Sequence, residues 1–168
     1  MEVADFHKGA PKLKFIHRRN LILCVASEKT TEESLNIAVE RASEAMIRKV
    51  PDAELVDFTS HGDVTDQPGH YIIFWEIKGQ GIEDATLQEC CTEIDATLPS
   101  SFCRHNNYIG PLELRIVERG TFAKIFDYFV ANGGAASQFK TPKCTNNPGV
   151  LKILNAFTIK RFRSSAYV

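Results

Sequence analysis

Apolar residues along this chain recur with two periods, one of two and one of three to four, and where each applies predicts the elements of the fold. After a basic, irregular opening with Gly9 and Pro11, Lys12-Leu13-Lys14-Phe15-Ile16 alternates as a short strand. The polar run His17-Arg18-Arg19-Asn20 separates it from Leu21-Ile22-Leu23-Cys24-Val25, an apolar segment that reads as a buried strand, so the polar run reads as a connector between two elements or between two bodies. Thr30-Thr31-Glu32-Glu33 offers a Thr-x-x-Glu capping box. Leu35, Ala38, Val39, Ala42, Ala45 and Met46 then form one apolar stripe, predicting a helix that ends before Pro51.

Two strands are expected next, over 53–59 and 70–77, separated by the turn residues Gly62-Asp63 and Gln67-Pro68-Gly69. In the second, Tyr71, Ile73, Trp75 and Ile77 share one face and Ile72 and Phe74 the other, so both faces want covering and the strand is central. Asp84 or Thr86 caps a second helix through about Leu98, with Leu87, Cys90, Cys91, Ile94 and Leu98 on its stripe. A strand over 112–117 follows, then a third helix marked by Phe122, Ile125, Phe126, Phe129 and Val130 and stopped by Gly133-Gly134. A loop through Lys140, Pro142 and Lys143, a short helix near 150–154 and a basic C-terminal tail complete the chain. The order predicts an α+β fold, a mainly antiparallel β-sheet with helices packed on it.

Composition narrows what such a domain can do. The 168 residues suit one core, and 20 basic against 21 acidic residues give a net charge of −1, without the basic excess of a general nucleic-acid binder. No apolar run reaches the roughly 20 residues of a membrane-spanning helix, and the first residues lack the basic-then-apolar pattern of a secretory signal, so the expected setting is cytoplasmic. Five cysteines, two of them adjacent, fit neither a disulfide framework nor paired zinc spacing and read as buried thiols. The five histidines show no metal-ligand spacing, and there is no nucleophile elbow and no complete phosphate loop. What remains is a few basic residues: Arg18-Arg19 at the connector, Lys29 just ahead of the capped helix, and Lys140 and Lys143 in the late loop. By spacing alone they are solvated side chains; near an anion, a lysine beside a helix N-terminus is suited to phosphate.

Several blocks together resemble one family. They include Phe15-Ile16-His17-Arg18-Arg19-Asn20-Leu21, Asp57-Phe58-Thr59-Ser60-His61, Pro68-Gly69-His70-Tyr71 through Trp75-Glu76, Ile109-Gly110-Pro111-Leu112-Glu113-Leu114-Arg115, and Gln138-Phe139-Lys140-Thr141-Pro142-Lys143-Cys144. In this order they resemble the C-terminal domain of the plant acyl-acid amido synthetases, the auxin-inducible Gretchen Hagen family of the adenylate-forming superfamily. The closing Thr158 to Tyr167 leans toward the jasmonoyl-amino acid synthetase branch.

The resemblance implies that residues 1–20 are the remnant of a large N-terminal domain plus a hinge at 17–20, and residues 21–168 the small mobile C-terminal domain. It implies an ATP-dependent ligase that adenylates a plant hormone-type carboxylic acid, jasmonate first, and conjugates it to an amino acid such as isoleucine. This domain alone would be inactive. Its partners would be the N-terminal domain of the same enzyme, which would hold most of the ATP and Mg2+, together with the acid and the amino acid; neither nucleic acid nor a membrane is expected. Matched by position, Arg18 would approach the nucleotide ribose, and Lys29 and Lys140 would meet the phosphates. Lys143 stands where arginine is common and falls outside the implied site. Read without the family blocks, the same chain is a stand-alone α+β interaction module.

Overall fold

The computed structural model describes residues 2–7, 10–14, 23–25, 28–99, 103 and 105–167. Two short antiparallel ribbons come first, β1 (Glu2–His7) with β2 (Ala10–Lys14) and β3 (Leu23–Val25) with β4 (Glu28–Thr30). Helix α1 (Glu32–Lys49) follows. The main sheet has the order β5 (Glu54–Asp63), β6 (His70–Lys78), β7 (Glu113–Val117) and β8 (Thr158–Arg163). Its β5–β6 and β7–β8 ladders are antiparallel and its β6–β7 ladder parallel. Helix α2 (Asp84–Thr97) bridges β6 to β7, while α3 (Thr121–Ala131), a 3-10 turn at Ala136–Gln138 and α4 (Pro148–Ala156) lie between β7 and β8.

The α+β architecture is as expected, and the alternation in β6 dictates its layers. Tyr71, Ile73 and Trp75, all at 0% exposure, pack with Leu35, Val39 and Met46 of α1 and Leu87, Cys91 and Ile94 of α2. Ile72 and Phe74 point the other way into a second core with Phe122 and Ile125 of α3 and Val150 and Leu154 of α4. Each buried Ile or Phe contributes about 1.5–3 kcal/mol of transfer free energy. Cys90 and Cys91 are core residues, and burial raises their thiols to about 11 and about 12.

Local details depart from expectation for identifiable reasons. The cap of α1 is Thr31, whose hydroxyl accepts from the Ser34 amide at 3.2 Å, and not Thr30 of the expected box. Thr30 is buried and donates its hydroxyl hydrogen to Tyr71 Oη at 3.4 Å, so the core has taken it. No side chain caps α2 at Asp84 or Thr86; its N-cap position is Glu83. The buried strand expected over Leu21 to Val25 is present in its described part, Leu23–Val25, with Val25 in the core; it pairs with β4 outside the four-stranded sheet. The basic C-terminal tail is strand β8, which closes the β7 side of the sheet. Its charged residues read as a tail because an edge strand keeps them exposed while its backbone pairs; Lys160 reaches Asp84 at 2.5 Å.

Two buried carboxylates fasten the layers. Glu76, at the end of β6, accepts from the Gly120 amide at 2.7 Å and the Phe122 amide at 2.8 Å, placing a negative charge on the N-terminus of α3. Glu113 of β7 accepts from Arg115 Nε at 2.8 Å and bonds His70 Nε2 at 3.2 Å, while Arg115 donates to Asn155 of α4 at 2.5 Å. Alternation in β7 would turn Glu113 and Arg115 to solvent, but both are buried, Glu113 against His70 and Arg115, and Arg115 against Asn155 of α4. Burial pushes the Glu113 carboxyl up; the bonds from His70 and Arg115 outweigh it and hold its pKa at about 2.

Replacing Glu76 by Ala is expected to cost about 2–3 kcal/mol of stability, read by denaturant unfolding with the fluorescence of the single tryptophan, Trp75, as probe. The depressed Glu113 pKa makes its contribution complete above the unfolded value of 4.5 and lost as pH falls toward about 2. Unfolding midpoints between those values should fall more steeply for the parent chain than for Glu113→Gln; parallel curves would contradict the assignment.

Candidate functional site

The Gln138-to-Cys144 block forms a strap whose ends are fixed by different chemistry. At its start, Phe139 packs edge-on against Phe126 at 5.3 Å between ring centres and against Phe129 at 5.0 Å, both on α3. Farther on, the strap runs along β5. Ser60 donates its amide and its hydroxyl to the Lys143 carbonyl at 2.9 and 2.6 Å, and the Thr145 amide returns to the Ser60 carbonyl at 2.9 Å. Thr59 Oγ1 donates to the Pro142 carbonyl at 2.6 Å, and His61 Nδ1 lies 3.1 Å from the Thr145 carbonyl. The Asp57–His61 block and the strap are therefore one unit, joined side by side.

Asp57 holds the middle of that unit. One carboxylate oxygen accepts from Lys143 Nζ at 2.8 Å and from the Phe58 amide at 2.7 Å, and the other accepts from Thr141 Oγ1 at 2.5 Å. The Lys143 ammonium also lies 4.2 Å from the centre of the Phe58 ring. Lys143 is thus committed to the strap's own attachment, a physical reason for its place outside the implied site.

Lys140 is different. It is exposed, and it borders a groove of about 570 Å³ between the strap, α3 and the start of α4, floored by Ile125, Tyr128, Phe129 and Val150. Asparagine and glutamine side chains supply polar edges, and among the described residues lining it Lys140 is the one that is charged. With no carboxylate there to neutralise it, the groove's edge favours an anion. Gly134 and Gly149 make room: a Cβ at either would lie 2.1 Å from the Phe129 or Tyr128 side chain.

Lys29 is exposed on β4, opposite Cys24 of β3, just ahead of α1 as expected. It leads into α1, in the layer over Tyr71 and Trp75, while Lys140 lies by α3 in the opposite layer. Lys29 is followed by Glu32 and Glu33 in the first turn of α1, which offset the pull of that helix terminus on an anion. Arg18 and the expected hinge at 17–20 lie outside the described residues.

Comparison with known proteins fixes the lineage. Residues 33–149, from α1 through the strap to the start of α4, match the GH3 family C-terminal domain. The chain belongs to the GH3 family. It is 53% identical over 170 residues to indole-3-acetic acid-amido synthetase GH3.10 of Arabidopsis thaliana, covering 99% of this chain and 28% of that protein. Jasmonoyl–L-amino acid synthetase JAR6 of Nicotiana attenuata is 47% identical over 174 residues, covering 99% and 29%. Among solved structures, GH3.15 acyl acid amido synthetase superposes with a TM-score of 0.82 at 33% identity, over 96% of this chain and 30% of that one. The chain therefore spans under a third of the length of these relatives.

The sequence pointed to Lys140 but not to Asp57, which stood only as the first residue of a matching block. An aspartate in a strand carries no local signal; its role exists only because the fold brings position 141 beside it.

The groove's geometry makes one substitution diagnostic. Gly149 lies in the first turn of α4, where alanine in open space would stabilise by about 0.4–1 kcal/mol. Against Tyr128, Gly149→Ala should instead destabilise the domain, and in a Tyr128→Ala background the sign should reverse, as read by denaturant unfolding of the four chains.

Proposed function

We propose that this GH3-family chain is the small C-terminal domain of an ATP-dependent ligase joining a hormone-type carboxylic acid to an amino acid. What carries the reading is similarity along 99% of the chain to enzymes named for making such amides. In the first half-reaction a carboxylate oxygen bonds to the α-phosphorus of ATP as the bond to pyrophosphate breaks. In the second, the amino-acid nitrogen attacks the acyl carbon, the bond to AMP breaks, and the amine gives up a proton. Both steps move negative charge onto phosphate oxygens, and preorganised cations lower the barrier. Lys140, exposed at a groove without carboxylates, suits that task, with Lys29 a second phosphate-facing cation and Arg18 a ribose contact.

The separation of the two lysines in opposite helical layers favours a domain that turns about residues 17–20 and presents different faces in the two half-reactions. In this reading residues 1–20 belong to the large domain and the hinge, and residues 21–168 to the mobile domain; pairing of β1 and β2 only with each other, among the described residues, supports that division. The large domain would bind ATP, Mg2+ and the acid. Among the described residues no group of three or more His, Cys, Asp or Glu could hold a metal ion. No described helix is long and apolar enough to cross a membrane, and the cytoplasm is the proposed setting.

For the acid we propose jasmonate, on identities of 47% and 46% to two jasmonoyl–L-amino acid synthetases, with isoleucine as the amine. The 53% relative is named for indole-3-acetic acid, so both acids belong in the assay. In a protein of the relatives' full length, pyrophosphate release should require ATP, acid and amino acid, be faster with jasmonate, and be absent from the present chain. Lys140→Ala should lower the rate roughly 100-fold with folding unchanged, and Lys29→Ala should also lower it. A faster reaction with indole-3-acetic acid would overturn the choice of acid, and full rates in both variants would overturn the assignment of the lysines.

A further inference from the structure

We infer that Asp57 is a positioning residue for this site, acting on Lys140 through the strap; the inference rests on the reading of Lys140 as a phosphate-facing cation. Lys140 has no ion pair of its own among the described residues, so what fixes its backbone is its neighbours on either side. Before it, Phe139 is held by α3. After it, the first polar anchor is Thr141 Oγ1, which donates to Asp57 Oδ2 at 2.5 Å. The other Asp57 oxygen takes Lys143 Nζ at 2.8 Å, so one carboxylate grips the strap one and three residues beyond Lys140.

The remaining bonds from Thr59 and Ser60 reach only the Pro142 and Lys143 carbonyls. They set the strap's register against β5 without touching Lys140 or Thr141. Removing the Asp57 grip therefore leaves the strap attached downstream while freeing the segment 140–141. A flexible lysine loses orientational advantage, because the cost of ordering it falls on the reaction itself. The carboxylate also separates the two charges by function. Lys143 is neutralised against Asp57, and Lys140 is left to meet an external anion.

The test uses a protein of the relatives' full length carrying Asp57→Asn, Thr141→Val, Lys140→Ala, and each of the first two combined with Lys140→Ala. Asp57→Asn keeps the size and some hydrogen bonding, and Thr141→Val removes a single donor, so at least one retains the fold. Each should lower kcat about 10-fold with KM for ATP little changed, and neither should lower the rate further once Lys140 is gone. In the present chain, trypsin should cleave after Lys140 several-fold faster in Asp57→Asn and Thr141→Val than in the parent. Loss of activity in Lys140→Ala with full activity in Asp57→Asn and Thr141→Val would overturn the role of Asp57 alone. Effects that add to that of Lys140→Ala would reduce Asp57 to a purely structural residue, and full activity in Lys140→Ala would overturn both readings.

Discussion

Strand β6 is buried on both faces, and everything else in this domain answers to that. Because successive side chains alternate, Tyr71, Ile73 and Trp75 need cover on one side and Ile72 and Phe74 on the other. The helices α1 and α2 meet the first requirement and α3 and α4 the second. A chain with helices on both faces of a sheet has two unlike surfaces, and each of the two candidate lysines is associated with one of them.

Fastening the second helical layer is electrostatic as much as apolar. Glu76 holds the N-terminus of α3 and the Glu113–Arg115–Asn155 chain holds α4, so the walls of the groove hang from buried carboxylates on adjacent strands. Buried charges of this kind are costly unless every oxygen finds a donor; here the helix amides and the guanidinium supply them. The groove at Lys140 is consequently a product of the sheet's own polar residues, with the strap closing its open side.

Much of this was legible in the sequence because it depends on periodicity. The two faces of β6, the stripes of α1 and α2 and the burial of Cys90 and Cys91 follow from spacing alone. Departures came where tertiary contacts outbid local patterns: Tyr71 takes the hydroxyl of Thr30 and moves the α1 cap to Thr31, and β7 gives β8 a backbone partner that its charged side chains conceal. The basic candidates were visible, but not their division of labour. That Lys143 is paired, and Lys140 is not among the described residues, depends on Asp57, 83 positions before Lys140, and no local pattern encodes such a neighbour. The acid is equally illegible, since its pocket would lie in the part of the relatives that this chain does not span.

In the proposed role, the strap holds Lys140 for a phosphate. A structure of a full-length protein bound to a non-hydrolysable acyl-adenylate analogue tests it most directly. The Lys140 ammonium should lie within hydrogen-bonding distance of the phosphate, about 3 Å, with the Asp57–Thr141 and Asp57–Lys143 bonds intact. Lys140 in open solvent with the phosphate held entirely by the large domain, in each orientation of the small one, would contradict it.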